Sequence, residues 1–426
     1  MIDTIRNAWK IIDLRKKILY TILMIIIFRL GSCIPVPLLD PAAMKEIFTS
    51  DNSLFGFIDV ISGGAFQNAT IFAMSITPYI NSSIIMQLLT VAIPALERLQ
   101  KQGEDGRKKI AQITRYGTVV LAFIQAIGLY FMLKSYNAVT NPGLLTAVVL
   151  IFTFTAGTAF LMWLGEQITE KGVGNGISLI IYAGIVSRLP SMAQSLYAYA
   201  KGGGIGLIGV VALLIMIVVV VGLVVMMNEA ERRIPVQYAK RVVGRKMYGG
   251  QSTHIPIKVA SAGVIPIIFA MSIMSFPSTI AGFFGVTSQT GGFWGGFLKI
   301  FSSTSWVYAI LYFLLIIFFT YFYTAIQFNP IEMSNNMKKN GGFIPGIRPG
   351  RPTSEYISKT LSRITLVGAI FLGLIAILPI FINLGLGINN FAIGGTSLLI
   401  VVGVALETVK DMESQMLMRH YKGFLE

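Results

Sequence analysis

Covalent chemistry has few residues to work with in this chain. His254 and His420 are its two histidines and Cys33 its one cysteine. No H-E-x-x-H or C-x-x-C spacing occurs, so neither a metal site nor a redox pair is expected, and a lone cysteine excludes an internal disulfide. Gly204-Ile-Gly-Leu-Ile-Gly209 fits G-x-G-x-x-G literally, yet it follows no strand and opens an apolar segment. A helix-packing face suits it better than a dinucleotide. No Walker-type lysine follows a glycine loop, so any ATP must be hydrolysed by a partner. Buried charge is also scarce, because Glu97, Glu166, Glu229 and Glu407 sit at the ends of apolar segments and Arg29 near the outer end of the first. An ion-coupled transporter keeps ionisable residues near the membrane midplane, and that pattern is missing. The midpoints carry isoleucine instead. Ile76 and Ile80, four apart, share a helix face, while Ile181, Ile268 and Ile400 lie near the middles of three other segments. At this point either a functional ring or ordinary apolar packing fits them.

The elements that must position these residues are membrane helices. With 54% hydrophobic and 12% charged residues, the chain is far from soluble composition. Runs of about 20 apolar residues predict ten spans near 18–38, 70–92, 114–134, 144–164, 174–194, 205–227, 257–281, 305–328, 361–383 and 392–409. The fold class expected is an all-α integral membrane protein, ten transmembrane helices in two inverted five-helix halves around a central pore. Of the 34 Lys and Arg that give the net charge of +15, all but Arg29, Lys45, Lys134, Arg188, Lys201 and Lys299 fall on one side if the spans alternate. The positive-inside rule then places both termini in the cytoplasm.

Ile2, Ile5, Trp9 and Ile12 recur at helical spacing among charges, so residues 1–17 predict an amphipathic helix on the inner surface. Residues 18–200 form the first half, 201–409 the second and 410–426 a cytoplasmic tail, with Gly202-Gly-Gly204 dividing the halves. Five spans per half is odd, so the halves are related as an inverted repeat. Long loops at 228–256 and 329–360 lie on the basic side. Alternation of Val, Gln, Tyr and Lys in the first predicts a strand or hairpin, and Gly341–Gly350 in the second is rich in turn residues.

One segment resists a helical reading. Phe55-Gly-Phe-Ile-Asp-Val-Ile-Ser-Gly-Gly64 reads as a short half-helix ending at a glycine pair, directly before the uncharged run Ile71–Leu89. Non-helical backbone at membrane depth is tolerated only where protein buries it or water reaches it. A broken element here predicts a cavity, and a protein with such a cavity moves something. Thr77-Pro-Tyr-Ile-Asn-Ser-Ser83 and the Ser- and Pro-containing run Ala260–Pro277 are less hydrophobic than their neighbours. Their hydroxyls and amide either bond neighbouring helices or line a path.

Taken together, Ser62-Gly-Gly-Ala65, Ile76-Thr-Pro-Tyr-Ile80, Gln87-Leu-Leu89, Gly172-Val-Gly-Asn-Gly-Ile-Ser178, Arg233-Ile-Pro-Val-Gln237, Ala262-Gly-Val-Ile-Pro266, Pro345-Gly-Ile-Arg-Pro-Gly350 and Gly394-Gly-Thr-Ser-Leu-Leu-Ile400 resemble the SecY family of protein-conducting channels. The resemblance runs from the first span to the last. It implies a pore ring on Ile76, Ile80, Ile181, Ile268 and Ile400, whose branched side chains could dewet a constriction. It implies a plug at about 55–66 that includes Phe55, Gly56, Ile58 and Ile61, with Gly63 and Gly64 as hinge. A lateral gate between spans 2 and 7 would carry Asn81, Ser82, Gln87, Ser272 and Phe276. Arg241, Arg245, Lys246 and Arg348 would dock a ribosome or the SecA motor ATPase. Further implied partners are the small membrane subunits SecE and SecG, signal peptides, unfolded preproteins and membrane lipids; no cofactor and no enzymatic activity are implied. A secondary transporter of a small solute and a lipid scramblase or insertase are the competing readings. The first is suggested by the inverted halves, and the second needs a charged groove that is not found.

Overall fold

The computed structural model describes residues 2–40, 43, 62–191, 193–194, 197, 207–238, 241–243, 246–248, 252–260, 262–283, 296, 298, 300–301, 305–386 and 395–422. Helices α1 (Ile2–Lys10), α2 (Ile12–Gly31), α3 (Thr77–Ala92), α4 (Pro94–Gln100), α5 (Glu104–Ser135), α6 (Leu144–Lys171) and α7 (Gly176–Ser187) form the first part. After α8 (Leu207–Glu229) come strands β1 (Glu231–Tyr238), β2 (Arg241–Val243), β3 (Lys246–Tyr248) and β4 (Ser252–Lys258). Helices α9 (Ile265–Phe283), α10 (Trp306–Gln327) and α11 (Pro330–Lys339), strand β5 (Gly342–Phe343), and helices α12 (Arg351–Leu386) and α13 (Gly395–Lys422) complete the order.

Ten of these helices, all but α1, α4 and α11, coincide with the ten expected spans. Among the described residues, five stretches are long and apolar enough to cross a membrane unaided: Glu104–Ser135, Leu144–Lys171, Val211–Glu229, Trp306–Lys339 and Arg351–Phe381. The pair α3 and α4 makes a sixth when taken as one span, bent by 104° at Ile93 and Pro94. Proline cannot continue the α3 hydrogen-bond ladder, which explains the turn.

Several boundaries differ from the sequence expectation, each for a local reason. The first span ends at Gly31 instead of 38, because the Ser32 hydroxyl bonds the Phe28 carbonyl (2.9 Å) and Pro35 and Pro37 follow. The second starts at Thr77 instead of 70, since Ser75 adopts φ +52 and Pro78 occupies the first turn. Residues 257–258, expected in the seventh span, belong to β4, and the helix begins at Ile265 with Pro266 in its first turn. The ninth helix begins at Arg351, well before 361, and α13 runs unbroken to Lys422, so most of the expected tail is helix. The predicted 1–17 helix breaks at Ile11, whose backbone is extended. Its first piece docks on α13: the Thr4 hydroxyl donates to Glu413 at 2.9 Å, and buried Ala8 shares a small apolar cluster with Met412 of α13, Leu14 of α2 and Val173.

One apolar core runs through the bundle, drawing on α2, α3, α6 to α10, α12 and α13. The two helix sets meet along two seams. On one, α9 packs against α5 and touches α3; on the other, α13 packs against α7. On the basic side β1 pairs antiparallel with β4, from Glu231 opposite Lys258 to Gln237 opposite Ser252. Its other edge takes β5, with Gln237 opposite Phe343. The expected hairpin is therefore present, and the sheet ties together two loops that the sequence shows as separate. Ile234 and Val236 point inward by strand alternation and pack with Ile257, Met337, Ile344 and Ile357.

Close backbone approach fixes the irregular segment before α3. At Gly157 of α6 an added Cβ would strike the Ile71 carbonyl oxygen. Gly157→Val should destabilise the protein by about 2 kcal/mol through overpacking. Gly222→Ala, in α8 with no heavy atom within 4 Å of the new carbon, should be neutral or stabilising by up to ~1 kcal/mol. Thermal unfolding in detergent checks both, and equal melting temperatures for the two variants would refute the packing of this segment on α6.

Candidate functional site

The five isoleucines come from four different places in the fold. Ile76 is the residue before α3, Ile80 lies one turn inside it, Ile181 is in α7, Ile268 in α9 and Ile400 in α13. Ile76, Ile80, Ile181 and Ile400 are buried, and half-buried Ile268 packs against the same contiguous cluster. Positioning α7 requires a capped start, which Asn175 supplies by accepting from the amides of Ile177 and Ser178 at 3.1 and 3.3 Å. The aliphatic side chains gathered here hold no polar group, so what they can do chemically is exclude water.

Of the expected plug residues, Phe55, Gly56, Ile58 and Ile61 lie outside the described residues. Gly63 and Gly64 have φ of +66 and +87, where a side chain is strained. Gly63 also presses on α7: an added Cβ would lie 2.9 Å from the Gly184 Cα and 3.0 Å from the Ser187 hydroxyl. Its carbonyl accepts a hydrogen bond from the Arg29 guanidinium at 2.9 Å, while the Gly64 carbonyl accepts from the Asn68 side chain at 2.9 Å. Sequence reasoning placed Arg29 only by depth. In the structure it bonds the first glycine of the pair, and its solitary position among apolar residues was the available signal.

The expected gate residues divide. Asn81, Gln87 and Ser272 are half-buried and Phe276 is 58% exposed. Ser82 is different: it is 2% exposed, and its hydroxyl donates to the Thr114 carbonyl of α5 at 2.9 Å. That bond binds α3 to α5. Gly117 makes room for it, since a Cβ there would sit 2.7 Å from the Ser82 oxygen. Because α9 meets α5 more extensively than α3, this seam is formed by α3 and α5 together against α9. The part of α5 in this seam was not legible in the sequence, because hydropathy shows that a helix spans but not which helix it meets.

On the basic side, Arg241 and Lys246 lie in the β2–β3 hairpin, and Arg245 lies outside the described residues. Arg348 is exposed at a turn whose glycines, Gly346 and Gly350, have φ of +81 and +107. The turn is pinned at both ends. The Thr353 hydroxyl donates to the Arg348 carbonyl at 2.9 Å, and the buried Ser334 hydroxyl to the Gly350 carbonyl at 2.8 Å. Among the described residues no group of three His, Cys, Asp or Glu side chains is placed to hold a metal ion.

Comparison with known proteins adds a family. The SecY family model matches residues 70–409. The chain is 47% identical to the protein translocase subunit SecY of Halalkalibacterium halodurans over the whole of both chains. It is 48% identical to that of Streptomyces coelicolor, again over both full lengths. With Thermotoga maritima SecY the identity is 44%, covering all of this chain and 98% of the relative. Among solved structures, one described as a protein-conducting channel superposes with a TM-score of 0.65 at 18% identity, covering 94% of this chain and 92% of that one. Sec61 in a canine ribosome–channel complex gives 0.62 at 18% identity with the same coverage. At such identities the structural likeness speaks for the ten-helix fold alone, while the sequence relatives place the molecule: this chain belongs to the SecY family of bacterial multi-pass membrane proteins.

Proposed function

We propose that this chain is the pore-forming subunit of a bacterial protein translocase, passing unfolded secretory polypeptides across the cell membrane and releasing signal sequences and transmembrane segments into lipid. The observation that carries this reading is the placement of Ile76, Ile80, Ile181, Ile268 and Ile400, from both helix sets, in or against the one apolar core that joins the sets, in a family whose members are named translocase subunits. Such a ring blocks ions by excluding water and yields around a chain without offering it charge. It acts by passage, not by catalysis. The glycine pair held by Arg29 serves as the hinge of a plug covering residues 55–66.

The seam of α3 and α5 against α9 serves as the lateral gate. Its weakly polar helices suit it to part: a signal-sequence core of about ten Leu-like residues favours lipid by several kcal/mol, at about −0.5 kcal/mol each. Both termini and the sheet-linked loops face the cytoplasm under the positive-inside rule. There Arg348 and the hairpin bearing Arg241 and Lys246 meet a ribosome or the SecA motor, and SecE and SecG complete the membrane assembly. Small-solute transport is the weaker reading, since it requires ionisable residues at the midplane.

Photocrosslinking probes at positions 80 and 268 should both form adducts with a passenger jammed halfway. Adducts from neither, with translocation intact, would place the path elsewhere. Ile268→Asn or Ile400→Asn leaves a buried amide in the closed ring at a cost of about 1–3 kcal/mol. Export of preproteins with defective signal sequences should consequently rise about tenfold, one decade per ~1.4 kcal/mol, and unchanged selectivity would remove these residues from the ring. Arg348→Ala should weaken ribosome binding and lower the slope of log affinity against log salt by about 1; titrations at several salt concentrations decide whether Arg348 contacts RNA.

A further inference from the structure

An apolar ring creates a difficulty for the chain that crosses it. Every residue in transit except proline carries an N–H donor and a C=O acceptor. Where aliphatic side chains exclude water, these groups are costly to leave unpaired. A folded helix solves this internally, but an extended chain cannot.

Among the described residues, three buried side-chain polar atoms have no protein partner: Ser75 Oγ, Thr77 Oγ1 and Tyr312 OH. Two of the three flank Ile76. Elsewhere in this bundle hydroxyls are satisfied by back-bonding to the carbonyl one turn earlier, as Thr90, Thr118, Thr320 and Thr324 do at 2.7, 2.8, 2.6 and 2.7 Å. Thr77 opens α3, so no helical turn precedes it. Ser75 is 1% exposed and held at φ +52, a strained conformation for a residue with a side chain. Its backbone is fixed on both sides: the amide donates to the Phe72 carbonyl at 2.8 Å and the carbonyl accepts from Thr158 at 3.4 Å. Alanine and valine would fill the same volumes without an unpaired hydroxyl, so apolar packing alone accounts for neither residue. Tyr312 lies apart, in α10 beside Tyr308.

We propose that Ser75 and Thr77 hydrogen-bond the main chain of the polypeptide in transit, taking over from water where the isoleucines exclude it. A hydroxyl donates and accepts, so it pairs with either backbone group of any residue. The ligand is thus the extended peptide backbone itself, irrespective of side chains. The proposal rests on the reading of Ile76 as part of the pore ring.

The test uses the complete translocase in vesicles with a passenger already engaged, so that initiation is not scored. In the Ser75→Ala, Thr77→Val double variant, transit should slow about fivefold per hydroxyl, the rate equivalent of one net hydrogen bond. Crosslinks from the signal sequence to the α3–α9 seam should persist, and Thr77→Ser should keep the wild-type rate. A proline-rich passenger, poor in N–H donors, should be slowed less than an ordinary one. Unchanged or faster transit overturns the proposal, as does equal slowing of both passengers, which would indicate an effect on opening alone. Should Ser75→Ala fail to assemble, the comparison of Thr77→Val with Thr77→Ser decides by itself. Absence of ring crosslinks in the wild-type channel would instead overturn the underlying pore reading, whatever the variants do.

Discussion

The bilayer offers a backbone no hydrogen-bond partner, and the described structure is organised around a long segment before α3 that departs from helix despite this. Residues 62–76 run as successive turns between α2, α6 and α7. Their polar groups are met by protein. Val36 donates to the Ala69 carbonyl at 2.8 Å, Thr70 to the Ala65 carbonyl, Ile71 to the Ile34 carbonyl at 3.2 Å, and Arg29 to Gly63. The bundle must close tightly over such a segment, and it does so where Gly157 and Gly184 present backbone without side chains. Irregularity at membrane depth thus dictates where the small residues fall. It also delivers Ile76 to the centre of the core.

Closure at this segment has a counterpart on the basic side. There α13 continues past its span and collects polar contacts from several elements. Asp411 accepts from the Gly174 amide at 2.9 Å, Gln415 accepts from Lys17 at 3.0 Å, and Thr21 accepts from the Val173 amide nearby at 3.1 Å. Lys410 pairs with Glu229 at 2.7 Å, an exposed contact worth at most about 1 kcal/mol. The buried amide bonds matter more, because an unpaired N–H there has no substitute. These polar contacts tie α13 to α2, to α8 and to the loop that leads into α7. The opposite seam joins α9 to α5 and α3, and under the proposed gate it is the one that parts while the α13 side holds.

Hydropathy made the ten helices legible, because twenty apolar residues have few alternatives to a span. Helix ends were less legible, since they depend on single contacts such as the Ser32 back-bond or the left-handed turn at Ser75. The beginning of the ninth helix at Arg351 shows the same limit: charged residues continue a helix outside the membrane with no hydropathy signal. Of the candidate site, the burial of the five isoleucines and the left-handed glycine pair were legible from residue type, depth and family resemblance. The alliance of the two basic loops was not, because β1 and β5 are more than a hundred residues apart and β5 is two residues long. Nor could sequence assign Ser82. A serine on a membrane helix bonds a neighbour or lines a path, and only the Thr114 carbonyl decides.

A channel for polypeptides must satisfy opposite demands at one constriction. Closed, it has to keep ions out, which favours aliphatic side chains and forbids charge. Occupied, it has to tolerate a backbone whose donors and acceptors cannot all be paired. Charged residues would serve the second demand and defeat the first. Hydroxyls are the compromise this chain adopts, for they are small enough to be buried at Ser75 and Thr77 and neutral enough not to hydrate an ion on their own. The penalty of keeping them unpaired falls on the closed state, at about 1–3 kcal/mol each. A closed state raised in this way is easier to leave, so the polar atoms that ease passage also bring the ring nearer to opening.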